Sequence, residues 1–200
     1  GISLSQGDLS NYAISYVSGV LTVTSAPLTI TASAQTKVYG GTVSMTGSLD
    51  VSYTATGFVN GEGAGALSLT YGGGELTTAS VGTYTITASG LTMGATGSLS
   101  NYSISYVTGV LTVTSAPLTI TAQPQTKVYG SSISTTGVFG STYSVTGLQN
   151  TDAAGTLSLT YSGSPSGESS TASVGTYTIT ASGISLSQGD LSNYAISYVS

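Results

Sequence analysis

The chain has 200 residues, only 4% of them charged, and a formal net charge of −5. Its two lysines are too few for the phosphate neutralisation on which nucleic-acid binding depends, which excludes nucleic acid as a partner and disfavours an anionic membrane surface. Histidine and cysteine are absent, which removes the usual catalytic base and any disulfide framework.

Alternation of apolar and polar residues with a period of two dominates the chain. It is clearest in 28–32, 67–71, 84–88 and 102–106, and each run is bounded by Gly, Ser or Asn. This pattern predicts short, half-buried β-strands, and the 39% of hydrophobic residues argues against disorder. The one candidate helical turn is 60–66, with a second copy at 150–156. No apolar run reaches the roughly 18 residues of a membrane span, so we expect no membrane insertion of this segment.

Long stretches of sequence recur at a spacing of about 90 residues, as in a tandem repeat. Residues 1–18 return unchanged as 183–200, an offset of 183 − 1 = 182 residues, or about two such spacings. GVLTVTSAPLTITA begins at Gly19 and again at Gly109, and QTKVYG begins at Gln35 and again at Gln125. A repeated spacer or multivalent surface gains from each added copy, whereas a catalytic site seldom needs one. The pattern therefore favours a structural or adhesive role.

Two prolines, Pro27 and Pro117, mark the predicted repeat boundaries, because each stands in a short Ser-Ala-Pro link between two strands. They divide the chain into the C-terminal part of a preceding repeat (1–26), a complete repeat (27–116) and a second repeat that lacks its last strand (117–200). We expect an all-β fold of tandem Ig-like β-sandwich repeats of about 90 residues, large enough for a modest core. A β-grasp-like sheet with one short helical turn per repeat is the alternative.

Several motifs carry a resemblance to a known family. They are KVYG at Lys37 and Lys127, VGTYTITASG, NYSISYV or NYAISYV, and the LSLTY stretches. In this order and spacing they resemble the MBG-type (YGX) repeats of very large bacterial surface proteins, including filamentous-haemagglutinin-like adhesins. The resemblance covers nearly the whole chain twice. It implies a secreted, extracellular or cell-surface β module that acts as a stalk or fibre segment, and it implies no catalytic residue. We expect neither enzymatic activity nor a cofactor.

Two functional hypotheses follow. The first is a structural stalk or fibre repeat of an extracellular adhesin or surface filament, whose partners are neighbouring repeats and identical chains, packed laterally or by donation of a Gly109-like strand. The alternative is a multivalent glycan- or surface-binding module, for which the loop difference between 72–77 and 162–170 is the best support. A glycan platform could use the fourteen tyrosines, but most share a strand face with Ile, Leu and Ala and are expected in the core.

Acidic clusters are candidates for a metal site, but each offers only one Asp beside one amide, as at Asp8, Asp152 and Asp190. Calcium takes six to eight oxygen ligands, so an Asx turn or a helix cap is the expected role, and we assign no metal site. Lys37 and Lys127 stand out because a chain almost without positive charge keeps one per repeat. They are expected either as lone solvated cations that keep a strand edge from pairing or in an intramolecular amide crosslink to Asn101 or Asn193.

The crosslink hypothesis makes a direct prediction about mass. Condensation of a lysine amine with an asparagine amide releases ammonia, so a crosslinked chain is lighter by one ammonia per repeat. Intact-mass measurement of the wild type and of Lys37→Met tests this. A wild-type mass equal to the mass calculated from the sequence would contradict the crosslink hypothesis. A mass deficit that is the same in Lys37→Met would show that Lys37 takes no part in a crosslink.

Overall fold

The computed structural model describes residues 2–200 and confirms the all-β prediction. The first repeat contains eight strands between residues 26 and 114. In chain order these are β1 (Ala26–Ala32), β2 (Gln35–Val38), β3 (Thr46–Gly47), β4 (Tyr53–Thr56), β5 (Leu67–Thr70), β6 (Gly82–Ser89), β7 (Tyr102–Val107) and β8 (Gly109–Thr114).

The second repeat follows after Ser115 and again contains eight strands. These are β9 (Ala116–Ala122), β10 (Thr136–Gly137), β11 (Tyr143–Thr146), β12 (Ala153–Ala154), β13 (Leu157–Tyr161), β14 (Ile179–Ser182), β15 (Leu186–Gln188) and β16 (Tyr194–Val199). The helices of residues 2–200 are three single 3-10 turns, at Leu9–Asn11, Leu99–Asn101 and Leu191–Asn193. None of them has the length needed to cross a bilayer.

The first repeat consists of two sheets. The smaller has the order β4-β1-β7, in which β1 is antiparallel to β4 and parallel to β7. The larger has the order β2-β8-β6-β5-β3, in which β8 is parallel to β2 and antiparallel to β6. Strand β1 contacts β6 and β8, so the apolar faces of the two sheets enclose one interior. Strand β8 is therefore an inner strand of the larger sheet, although it comes last in the chain.

The second repeat reproduces most of this arrangement. Its sheet β11-β9-β16 corresponds to β4-β1-β7, and β10-β13-β14 corresponds to β3-β5-β6. The second repeat also has a short antiparallel pair, β12-β15, where the first repeat has a single bridge between Ala64 and Met93. The larger difference lies beside β14, which begins at Ile179 and matches only the second half of β6. Residues 125–128, the counterpart of β2, are not in a strand either. In the first repeat, β8 pairs with β2 and with the first half of β6, which are the counterparts of these two segments. Among residues 2–200, the second repeat has no counterpart of β8.

The alternating pattern determines which side chains form the core. Strand β1 buries Leu28, Ile30 and Ala32 while Thr29 and Thr31 are only half buried, as expected when successive side chains point to opposite faces. Fully burying a Leu or Ile contributes about 2 kcal/mol relative to exposure. The buried residues of both repeats form a single continuous cluster, so the hydrophobic core runs through the boundary between them.

Tyrosines extend this core and satisfy their hydroxyls locally. The Tyr53 hydroxyl donates to the carbonyl of Gly65 at 2.5 Å, and the Tyr71 hydroxyl donates to that of Ser44 at 2.7 Å. Their counterparts in the second repeat make the equivalent bonds. The prediction that tyrosines belong to the core is confirmed for Tyr53, Tyr71, Tyr102, Tyr143, Tyr161 and Tyr194.

Three details of the sequence-based expectation were wrong. Tyr106 and Tyr198 are exposed by about two fifths, although their hydroxyls accept hydrogen bonds from the backbone N–H groups of the buried residues Leu91 and Ile184. Residues 60–66 form no helical turn. Asn60 has a positive φ of 57°, which opens a tight turn instead, and the three following glycines disfavour a helix.

The buried tyrosines predict a loss of stability in alkali. The pKa values of Tyr39, Tyr53, Tyr71, Tyr102, Tyr143, Tyr161 and Tyr194 are raised from 10.0, chiefly by burial and for Tyr102 chiefly by its hydrogen bond to Glu62. A raised folded-state pKa gives stability that is complete below pH 10 and is lost as the pH rises through the folded value. The free energy of unfolding should therefore fall between about pH 10 and 12.

Urea denaturation at a series of pH values checks this expectation. Burial and the bond to Asp152 raise the pKa of Tyr194 to about 12, so Tyr194→Phe should flatten the alkaline slope by one titrating group. Tyr16→Phe, at a ring that is exposed to solvent, is the matched control. A free energy of unfolding that is constant up to pH 12 would contradict the assignment.

Candidate functional site

Several polar side chains from the two repeats meet at the joint between them. Strand β8 ends at Thr114 and β9 begins at Ala116, so Ser115 alone connects them. Since β8 is paired within the first repeat and β9 within the second, neither strand can swing freely. Ala116 is fully buried. A connection this short leaves little conformational freedom between the repeats.

A carboxylate from the second repeat binds a tyrosine from each side of this joint. Asp152 accepts a hydrogen bond from the Tyr194 hydroxyl at 2.5 Å and another from the Tyr39 hydroxyl at 3.0 Å, both at Oδ2. The rings of Tyr39 and Tyr194 pack edge to face, with centroids 5.5 Å apart. Burial raises the pKa of Tyr39 as well as that of Tyr194, so both hydroxyls remain protonated donors at neutral pH. Hydrogen bonds to a carboxylate are the stronger kind.

Three more contacts surround this centre. Asn193 accepts a hydrogen bond from the backbone N–H of Val81 at 2.9 Å, and the side chain of Asn150 donates to the carbonyl of Thr77 at 3.2 Å. Gly40 lies against Gln149 so closely that a Cβ at Gly40 would overlap the Gln149 side chain. Its φ of 86° also belongs to the left-handed region that glycine favours. The Tyr39 ring therefore packs in the joint, and the absence of a side chain at Gly40 leaves room for Gln149.

The first repeat contains the counterpart of the Asp152–Tyr194 pair, with Glu62 in place of Asp152. The Tyr102 hydroxyl donates to Glu62 at 2.5 Å and accepts from the backbone N–H of Val59 at 3.2 Å. Glycines stand under both carboxylates, because a Cβ at Gly97 or Gly189 would meet the carboxyl group of Glu62 or Asp152, respectively. The tyrosine–carboxylate contact thus occurs in both repeats, and the carboxylate side chain is one methylene longer in the first.

The second repeat contains the counterparts of Tyr39 and Gly40, but there the tyrosine faces solvent. Tyr129 corresponds to Tyr39 and has the same neighbours in sequence. The Tyr39 side chain is 5% exposed and that of Tyr129 is 68% exposed. Gly130 keeps a positive φ of 92°, yet no atom lies within 4 Å of the place where its Cβ would be. The joint, and not the local sequence, accounts for the burial of Tyr39.

The lysines of the crosslink hypothesis serve as donors to backbone carbonyls. Lys37 is buried, and its Nζ donates to the carbonyls of Gly41, at 3.1 Å, and Leu76. Lys127 makes the equivalent bonds to Ser131 and Ser169. Burial lowers the pKa of Lys37, an effect that Glu75 partly offsets. The expectation of a solvated cation is therefore wrong for Lys37, although β2 is indeed an edge strand of its sheet.

The asparagines of that hypothesis differ from each other. Asn193 is buried and holds Val81 across the joint, whereas Asn101 is exposed. The crosslinks to Lys37 and Lys127 stay predictions.

Two of the three acidic clusters, at Asp8 and Asp190, behave as caps, whereas the Asp152 carboxylate accepts hydrogen bonds from Tyr39 and Tyr194 instead. Asp8 and Asp190 each accept a hydrogen bond from the backbone N–H two residues further on, at 2.9 Å, and so begin the 3-10 turns at Leu9–Asn11 and Leu191–Asn193. This bond lowers the pKa of both carboxyl groups. Ser98 caps the corresponding turn of the first repeat. Within residues 2–200 there is no group of three His, Cys, Asp or Glu residues that could hold a metal.

Sequence reasoning did not identify Tyr39, Gln149 or Asp152 as a contact set. One signal was present, since an acidic residue and a tyrosine stand at matching places in both repeats, as Glu62 with Tyr102 and Asp152 with Tyr194. What that pair binds on its other side depends on how one repeat is placed against the next. Because the sequence is periodic, no single position in it indicates how one repeat is placed against the next.

These observations define the chain as a tandem array of all-β repeats with a built joint between them. The chain belongs to the MBG domain family of the YGX type, which matches residues 28–112 and 118–200. Domains of this family occur in adhesin-like repeat proteins and are typical of extracellular surface proteins. No curated protein and no solved structure matches the chain.

A double-mutant cycle on Tyr39 and Asp152 tests the joint. Tyr39→Phe removes one hydrogen bond to a partly solvated carboxylate and should cost about 1 kcal/mol of unfolding free energy. Combined with Asp152→Asn, it should show a coupling of about 0.5–1 kcal/mol. The matched control is Tyr129→Phe, at an exposed ring, which should change stability by less than about 0.5 kcal/mol. Equal effects of the two Tyr→Phe changes would contradict the role of Tyr39.

Proposed function

We propose that the chain is a structural stalk or fibre segment of an extracellular surface protein, in which each repeat adds length and the joint keeps successive repeats in a defined orientation. The observation that carries the proposal is the joint itself. A one-residue connection, a continuous core and the Tyr39–Asp152–Tyr194 contact all act between repeats. Independent domains on a flexible tether need none of these.

The chemistry of the surface supports the same role. With 4% charged residues and no histidine, the outer faces consist largely of Ser and Thr, and the described residues contain no cluster of metal ligands. We propose on this basis that the repeat has no enzymatic activity. Stability in such arrays is approximately a sum of unit and interface contributions, so a longer array gains reach without losing the strength of each unit.

Spin-label distances between the repeats test the proposed stiffness. The chain has no cysteine, so Ser68→Cys and Ser158→Cys, at corresponding exposed positions on β5 and β13, label one site in each repeat. We expect a single narrow distance distribution. Gly40→Ala should broaden or shift it, because the new Cβ meets Gln149.

Gly130→Ala is the matched control for this experiment. It introduces the same left-handed strain, about 1–2 kcal/mol, at a glycine with open space around it, and it should leave the inter-repeat distance unchanged. A broad distribution in the wild type would contradict a stiff stalk. A glycan-array screen covers the alternative, because specific binding of a glycan would favour an adhesion module over a spacer.

A further inference from the structure

The first and last segments of the first repeat run side by side in the same direction. Strands β1 and β2 lie within 26–38, and strands β7 and β8 lie within 102–114. Strand β1 is parallel to β7 over six residue pairs, and β2 is parallel to β8 over four. Both pairings share one register, because each residue faces the residue 76 positions later, as Thr29 faces Ser105 and Lys37 faces Val113. The two segments therefore form one long parallel ladder.

The two segments stay together where the ladder crosses from one sheet to the other. Strands β1 and β7 belong to the smaller sheet, whereas β2 and β8 belong to the larger one. The first segment crosses at 33–34 and the second at Thr108. Gly109 lies so close to the first segment that a Cβ at this position would be 2.6 Å from the carbonyl oxygen of Ala32. The ladder is therefore bent at the crossing but not opened there.

Further hydrogen bonds connect the two segments along the ladder. The hydroxyls of Thr29 and Ser105 lie 3.2 Å apart, and the Thr114 hydroxyl donates to the carbonyl of Lys37 at 3.3 Å. Just past the last residue pair, the backbone N–H of Tyr39 donates to the carbonyl of Thr114 at 2.8 Å. Because Tyr39 also contacts the second repeat, the ladder extends to the joint.

The parallel direction determines how this ladder responds to tension. The chain enters it after Ser25 and leaves it before Ser115, and these two residues lie at opposite ends of the ladder. A force that separates them pulls the two segments in opposite directions along their own axes. All hydrogen bonds between the segments are then loaded together, whereas a force applied at one end would break them one after another. Because forced unfolding is governed by the unfolding rate, the first case resists a larger force.

We propose that this parallel ladder is a shear clamp, by which the repeat bears tension along the chain. The proposal rests on the stalk role only for the origin of the tension, since the ladder is a property of the fold. The second repeat contains the corresponding parallel pair, β9 with β16, and its Thr119 and Ser197 hydroxyls lie 3.3 Å apart. Tension that leaves β8 passes through Ser115 alone into β9. A load on the array therefore passes from one ladder directly into the next.

Single-molecule force spectroscopy of the 200-residue chain tests the clamp by pulling the first repeat in two directions. The chain has no cysteine of its own, so handles can be attached at introduced ones. Ser25→Cys with Ser115→Cys loads opposite ends of the ladder, whereas Ser25→Cys with Ser100→Cys loads the same end, because Ala26 faces Tyr102. We expect one-step unfolding between 25 and 115, at a force at least about twice that needed between 25 and 100, because the hydrogen bonds resist together.

Thr29→Val and Thr119→Val are a matched pair of variants for the second measurement. Both remove the threonine hydroxyl from a Thr–Ser contact on a parallel ladder, but only Thr29 lies between the handles at 25 and 115. At constant force, Thr29→Val should raise the unfolding rate about two- to fivefold, because one hydrogen bond of the clamp is lost, and Thr119→Val should leave the rate unchanged.

Equal unfolding forces in the two pulling directions overturn the proposal, and so do equal unfolding rates in the two variants. The spin-label distances test the stalk role separately, because they report how the repeats are oriented and not how strongly each one resists force. A narrow distance distribution with equal forces in both directions would leave the stalk role standing and remove the clamp.

Discussion

The placement of one repeat on the next depends on strand β8, which completes one core and leads through a single residue into the next. Leu111 and Val113 are buried between the two sheets of the first repeat, while Ala116 is already buried beside the second. The chain can therefore not finish one repeat without orienting the following one. The parallel pairing of β8 with β2 adds to this constraint, since β2 leads directly into Tyr39 and Gly40 at the joint.

The joint uses tyrosine–carboxylate contacts where many proteins use salt bridges. Exposed ion pairs contribute little and weaken with salt. The Asp152 carboxylate instead accepts from two phenols whose pKa values are raised, so these donors stay protonated over the physiological range. The one lysine of each repeat donates to backbone carbonyls, so the tyrosine–carboxylate contact gives the joint a charged acceptor without a further cation.

How much could be predicted from the sequence depends on the range of the interaction. Alternation predicted β1, β5 and β7 and the burial of Leu28 and Tyr71, because burial on one face of a strand is a local pattern. The caps at Asp8 and Asp190 were predicted from turn chemistry and are confirmed as caps of 3-10 turns. The immunoglobulin-like detail of the fold stays a prediction.

The joint could not be predicted in this way. Lys-Val-Tyr-Gly is identical in both repeats, but Tyr39 is buried and Tyr129 is exposed. Identical local sequence with different burial shows that the cause is the neighbouring repeat. Tyr106 shows a second limit, since alternation assigned it to the core but its side chain is exposed by about two fifths.

The buried lysine explains how an edge strand with so little charge stays specific. Strand β2 lies at the edge of its sheet, where a continuous apolar face would invite pairing with other chains. Lys37 points inward and needs the carbonyls of Gly41 and Leu76, which only its own repeat provides. An inward-pointing charge of this kind is a known protection of sheet edges. Lys127 donates to the equivalent carbonyls of Ser131 and Ser169, so the second repeat holds its lysine in the same way.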